Sequence, residues 1–153
     1  MAAETETQTR DAITNIGYHL TDEILHAVNE NNRSSQNIAL ILCWAAVEST
    51  LNPDAIGTGK ERERGLFQLK PSTAREVEPK VTIRQLYNPV VNTRIATQVL
   101  QSLVNKYGDV RTALVVYKEG AGNYRSMGET TNSSIYADGI IGCSTRPWSV
   151  PWR

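Results

Sequence analysis

The sequence predicts an all-α fold built around one buried helix, and three observations carry that expectation. Apolar residues recur at three- and four-residue steps through most of the chain. The ten residues 38–47, IALILCWAAV, are all apolar in an otherwise polar sequence. No segment alternates apolar and polar residues in the way a half-buried strand requires. A chain of 153 residues, 40% apolar and 21% charged, is the size and composition of one globular domain with a real core.

The elements follow in order. Residues 1–10 are rich in Thr, Glu and Gln, with little to bury, and are expected to be a disordered tail; residues 11–153 form the domain. Ile13, Ile16, Leu20, Ile24, Ala27 and Val28 share one helical face. The polar stretch NENNRSSQN then reads as a loop, with Ser34 or Ser35 capping the next helix. That helix, residues 36–49, is apolar nearly all round, which marks it as the central element, and Pro53 prevents its continuation.

Residues 52–65 have the Gly, Pro, Asn and Asp of a loop, and their alternating Lys, Glu and Arg read as a solvated surface. GTGK within it is not a phosphate loop, because position 54 is Asp and Lys60 precedes Glu61. Ser72 or Thr73 starts a short helix that Pro79 ends, and another short one covers residues 82–86. Val91, Ile95, Val99, Leu103 and Tyr107 form an apolar face ending at Gly108. Asp109 caps the next helix, which stops at Gly120. A helical turn or two is expected at residues 135–141, before the irregular tail RPWSVPWR.

Equal numbers of basic and acidic residues, 16 of each, give no pull toward nucleic acid or an anionic membrane. The longest apolar run is too short to span a bilayer, so no transmembrane segment is expected. Nor does the polar N-terminus have the form of a secretory signal. Cys43 and Cys143 lack metal-ligand spacing, so no metal is expected. Cys43 reads as a buried free thiol used as a small hydrophobe, with a disulfide to Cys143 left open.

Glu48 is the chemical anomaly. It ends the apolar run, with Trp44 and Leu51 at spacings that place them on its face. Burial disfavours a charged carboxyl and raises its pKa, and a carboxylic acid that keeps its proton near neutral pH is suited to protonating a glycosidic oxygen. The alternative is a carboxyl that points to solvent where the helix ends, or bonds the amides that follow.

Further motifs decide between these. Glu48 and Ser49 are followed by Leu51, Asn52, Pro53 and Ala55; then come GLFQLKPSTA at 65–74, Asn88, Pro89 and Asn92, the run Val116, Tyr117 and Gly120, and finally Tyr136. In order and spacing this set resembles the soluble lytic transglycosylase family, relatives of goose-type lysozyme. The resemblance runs from about Ile38 to Tyr136 and implies a lysozyme-like helical domain with a substrate cleft.

It implies an enzyme acting on peptidoglycan glycan strands, without a cofactor. Glu48 would protonate the oxygen between N-acetylmuramic acid and N-acetylglucosamine, then serve as base while the muramic primary hydroxyl closes an anhydro ring. Retaining glycosidases usually pair their acid with a second carboxylate about 5 Å away; the family dispenses with it. Among substrate-binding residues, Ser49 would orient substrate or brace Glu48, and Gln68 would bond a sugar acetamido or hydroxyl. Tyr117 would hold Glu48 through its hydroxyl, and Tyr136 would line the groove.

The sequence departs from the family pattern in three places. Lys118 stands where the family has Asn, and a cation near Glu48 would lower its pKa. Glu119 beside it offers a second carboxylate, and the loop 52–65 is longer and more charged than usual. The rival expectations are a hydrolytic lysozyme, in which Asp54, Glu119 or a loop acid positions water, and a non-catalytic peptidoglycan-binding or assembly protein. The implied place of action is the periplasm or cell wall. Delivery would then be by a phage particle, a holin or a secretion apparatus, or the sequence is a domain cut from a secreted protein. A monomer is expected.

Overall fold

A computed structural model describes residues 20–145. The expected tail at 1–10, the start of the first helix at 13–19 and the RPWSVPWR tail lie outside the described residues. The regular elements among the described residues are all helical, with two isolated β-bridges and no strand among them.

Seven α-helices and one 3₁₀ turn are present among the described residues: α1 Asp22–Asn31, α2 Ile38–Ser49, α3 Pro71–Val77, the 3₁₀ turn Arg84–Tyr87, α4 Pro89–Tyr107, α5 Val110–Glu119, α6 Ala121–Met127 and α7 Thr131–Thr145. Five of them close a ring in which α1 packs on α2, α2 on α7, α7 on α5, α5 on α4, and α4 back on α1. The residues from Ala39 to Ala46 of α2 are all buried, as a helix apolar on every face requires.

Helix starts follow from local chemistry. Thr21, Asn37, Asn88 and Asp109 each accept a hydrogen bond from a first-turn amide, and Pro71 and Pro89 occupy first positions. The cap of α2 is Asn37, not Ser34 or Ser35: its Oδ1 accepts from the Leu40 amide at 3.0 Å. The serines instead serve the preceding turn, where the Ser34 hydroxyl bonds Asn32 at 2.6 Å. Gly108 ends α4 in the left-handed conformation, φ 92°.

Two elements differ from expectation. Helix α6 has no buried residue and therefore no apolar stripe to read. Helix α7 is 15 residues long rather than a turn or two, and its inner face is Ser133, Tyr136, Ala137, Ile140 and Cys143. The spacing is helical, but small and polar members and the exposed Gly139 and Gly142 hide it. Its start is a reciprocal cap, in which the Thr130 amide donates to Ser133 Oγ at 2.9 Å and the Ser133 amide to Thr130 Oγ1 at 3.2 Å.

The expectation of a free thiol at Cys43 is corrected: Cys43 and Cys143 form a disulfide, with Cα atoms 5.9 Å apart. The apolar run 38–47 predicts that Cys43 is buried, as it is, and only the packing of α7 on α2 brings residue 143 to it.

Candidate active site

Helix α2 ends at Ser49, and the chain leaves it through Thr50 and Leu51, both at positive φ. Each such residue costs about 1–2 kcal/mol of backbone strain, which the surroundings hold in place. Leu51 is buried. The Ser49 hydroxyl donates to Leu66 O at 2.8 Å and accepts from the Asn52 amide at 3.2 Å. Ser49 thus ties the helix end to the segment 65–69.

That segment is the other wall of the site. Gly65 has φ 79°, and an ideal Cβ there would stand 2.3 Å from Leu86 O and 2.4 Å from Asn92 Nδ2, so only glycine fits. Buried Asn92 holds the segment by donating to Arg64 O and Leu86 O and accepting from the Phe67 amide at 2.9 Å. Tyr117, on α5, donates to Phe67 O at 2.7 Å. Gln68 is half-buried at φ 50°, and its amide nitrogen donates to Ala55 O and Gly65 O at 3.2 and 3.0 Å.

Glu48 lies where these walls meet. Its Oε2 accepts a 2.6 Å hydrogen bond from the hydroxyl of Tyr136, on α7. That hydroxyl in turn accepts from Trp44 Nε1 at 2.8 Å, one helical turn before Glu48. The Trp44 indole packs against Phe67 and Tyr117, with ring centroids 4.6 and 4.9 Å away. Glu48 is half-buried as a residue, yet its carboxyl is desolvated enough that its pKa is pushed up to about 7. Burial is the main cause; the Tyr136 hydrogen bond, the Lys118 charge and the Trp44 indole each oppose it, and Glu63 adds to it.

The hydroxyl that reaches Glu48 is therefore that of Tyr136, while the Tyr117 hydroxyl goes to the Phe67 backbone. Burial and the Glu48 charge hold both phenols well above the usual tyrosine range. Lys118 is exposed, with Nζ 5.5 Å from the centre of the Tyr136 ring. It does not point away from Glu48, but its charge is outweighed by burial. Glu119 is engaged elsewhere, bonded to the Thr130 hydroxyl at the start of α7. Asp54 is exposed.

The charged loop is not simply a solvated surface. The Glu61 carboxylate accepts from the Ser72 hydroxyl and amide at 2.7 and 3.1 Å, so it serves the first turn of α3. Arg64 Nε donates to the Tyr87 hydroxyl at 2.9 Å. Glu63 is half-buried, with the Gly59 amide donating to its Oε2 at 3.3 Å, a placement that alternating charges in a loop gave no means of finding.

A carboxyl that holds a proton near neutral pH, and a tyrosine that stabilises it once ionised, make a general acid that can become a base. Over residues 26–138 the sequence matches the family described as the Transglycosylase SLT domain, which is well over half of the chain. The chain belongs to the transglycosylase SLT family. No curated protein matches it as a relative. Membership places this SLT domain among the peptidoglycan lytic transglycosylases as a class, with cell-wall peptidoglycan as substrate. Among the described residues of the SLT domain, no helix is long and apolar enough to cross a membrane.

Proposed function

We propose that this SLT domain cleaves the bond between N-acetylmuramic acid and N-acetylglucosamine without water, releasing an anhydro-muramic end, with Glu48 as its acid and base. The observation that carries the reading is a carboxyl at about pKa 7, oriented by a 2.6 Å bond from Tyr136 inside a family of this enzyme class. Protonated Glu48 gives its proton to the bridging oxygen, and the C1–O electron pair leaves with that oxygen. The ionised carboxylate is then stabilised by Tyr136. It takes the proton of the muramic C6 hydroxyl as O6 bonds to C1, which restores the acid.

Ser49 braces the helix end, and Gln68, whose amide nitrogen is occupied, offers its carbonyl oxygen to a sugar N–H or hydroxyl. Tyr117 holds the segment 65–69 and Tyr136 holds Glu48. The disulfide suits an oxidising compartment, which supports action in the periplasm or cell wall.

The test is mass spectrometry of purified sacculi digested by wild type and by Glu48→Gln. Anhydro-muramic ends from wild type alone are expected. Reducing ends only would point to a hydrolase, and no difference between the two proteins would remove Glu48 from catalysis.

A further inference from the structure

Of the acids in the loop 52–65, Glu63 is the one that turns inward. Lys60, Glu61 and Arg62 are exposed, whereas Glu63 is half-buried and makes no ion pair among the described residues. Two glycines form its seat. An ideal Cβ on Gly59 would stand 2.2 Å from Glu63 Oε1, and one on Gly57 would stand 2.1 Å from Oε2. The carboxylate therefore rests directly on the loop backbone, with the Gly59 amide donating to Oε2 at 3.3 Å.

The same Gly57 position lies 2.8 Å from Gln68 Oε1, so the Glu63 carboxylate and the Gln68 amide oxygen sit side by side. The fold explains the placement. Arg64 pairs with Leu69, which turns Glu63 back along the segment that Ser49 and Tyr117 hold against the end of α2. From there the charge of Glu63 reaches both Glu48 and Tyr117 and pushes both of their pKa values up.

We propose that Glu63 is a second acidic group of the cleft, its carboxylate set beside Gln68 and facing the sugar whose anomeric carbon becomes positive, stabilising that charge without bonding to the carbon. The inference rests on the Glu48 reading above and adds to it. When the Glu48 proton moves to the bridging oxygen and the C1–O pair departs, positive charge spreads over C1 and the ring oxygen. A fixed carboxylate in a partly dry site stabilises such a charge more than water does, because it needs no reorganisation as the charge forms. The proton still returns to Glu48 from the C6 hydroxyl, and Glu63 neither gains nor loses one. In the resting site its repulsion helps Glu48 keep its proton, so one group serves both stages.

The test compares wild type, Glu63→Gln, Glu63→Asp, Gly59→Ala and Glu48→Gln on purified sacculi, reading kcat, KM, pH dependence, products and thermal stability. Glu63→Gln should lower kcat by about 100-fold, with KM little changed. Its activity should also fall off at lower pH than that of wild type. Lys118, Tyr136 and Trp44 still favour ionised Glu48 and neutral Tyr117 is unchanged, while the one repelling charge is gone. Glu63→Asp should keep the wild-type pH limb and recover part of the rate. Gly59→Ala, which pushes an unaltered carboxylate off its seat, should lose part of it.

A residue that only held the loop would lower thermal stability and leave the pH limb in place. That result, or a Glu63→Gln rate within about twofold of wild type, overturns the inference. So does a wild type that makes reducing ends which Glu63→Gln no longer makes, because Glu63 would then activate water. If Glu63→Gln does not fold, an unchanged kcat in Gly59→Ala is the overturning result. A wild type no faster than Glu48→Gln would instead defeat the Glu48 reading itself.

Discussion

The Tyr136 hydroxyl donates to Glu48 Oε2 at 2.6 Å while accepting from the Trp44 indole at 2.8 Å, so one phenol joins α7 to two successive turns of α2. Its bond to Glu48 favours the ionised carboxylate and works against burial. Tyr136→Phe should therefore raise the Glu48 pKa further and move the high-pH limb of activity upward. Its kcat should fall by about tenfold or more as the conjugate base loses its donor. The Trp44 N–H left without that partner should cost about 1–3 kcal/mol of stability, read by urea denaturation. A limb that moves downward would contradict this arrangement.

Lys118 acts on the same carboxyl from outside. Lys118→Asn removes a charge that lowers the Glu48 pKa, so the alkaline limb of the pH–rate profile should move upward. Because Lys118 is exposed, salt should screen its effect: the two profiles should draw together as ionic strength rises. Profiles that stay equally separated in low and high salt would show that the lysine acts by packing instead.

The disulfide closes a sequence separation of 100 residues and clamps α2 to α7, the two helices whose side chains meet at Glu48. Reducing it, or replacing both cysteines with Ala, should lower unfolding free energy by about 2–5 kcal/mol. Denaturant curves with and without a phosphine reductant measure this. Coincident curves would mean that helix packing alone holds the clamp.

Glu48 should also make the protein less stable as pH rises. Its pKa is about 7 in the folded chain against 4.5 as the ordinary value, so the folded state binds the proton more tightly. The associated stability is fully present below pH 4.5 and is lost as pH rises through 7, amounting to no more than about 3 kcal/mol. Glu48→Gln, which cannot ionise, should melt above wild type at pH 8, and that advantage should vanish near pH 4.5. An advantage that does not change with pH would refute the raised pKa.

By itself, the sequence determined the helical class, the buried run of α2, the stops at Gly108 and Gly120, and Glu48 as the anomalous acid. Each of these is local: an apolar period, a cap, a glycine or an uncharged neighbourhood lies within a few residues of the position it explains. The tertiary structure decided everything that depends on which distant residues meet. It paired Cys43 with Cys143, gave Glu48 to Tyr136 and Phe67 O to Tyr117, sent Glu119 to Thr130, and turned Glu63 inward from a run of alternating charges. No period or cap encodes those choices: the contacts of Cys43, Glu48 and Glu119 follow from α7 packing on both α2 and α5 through a face of small and polar residues, and those of Tyr117 and Glu63 follow from the folding-back of the segment 56–69.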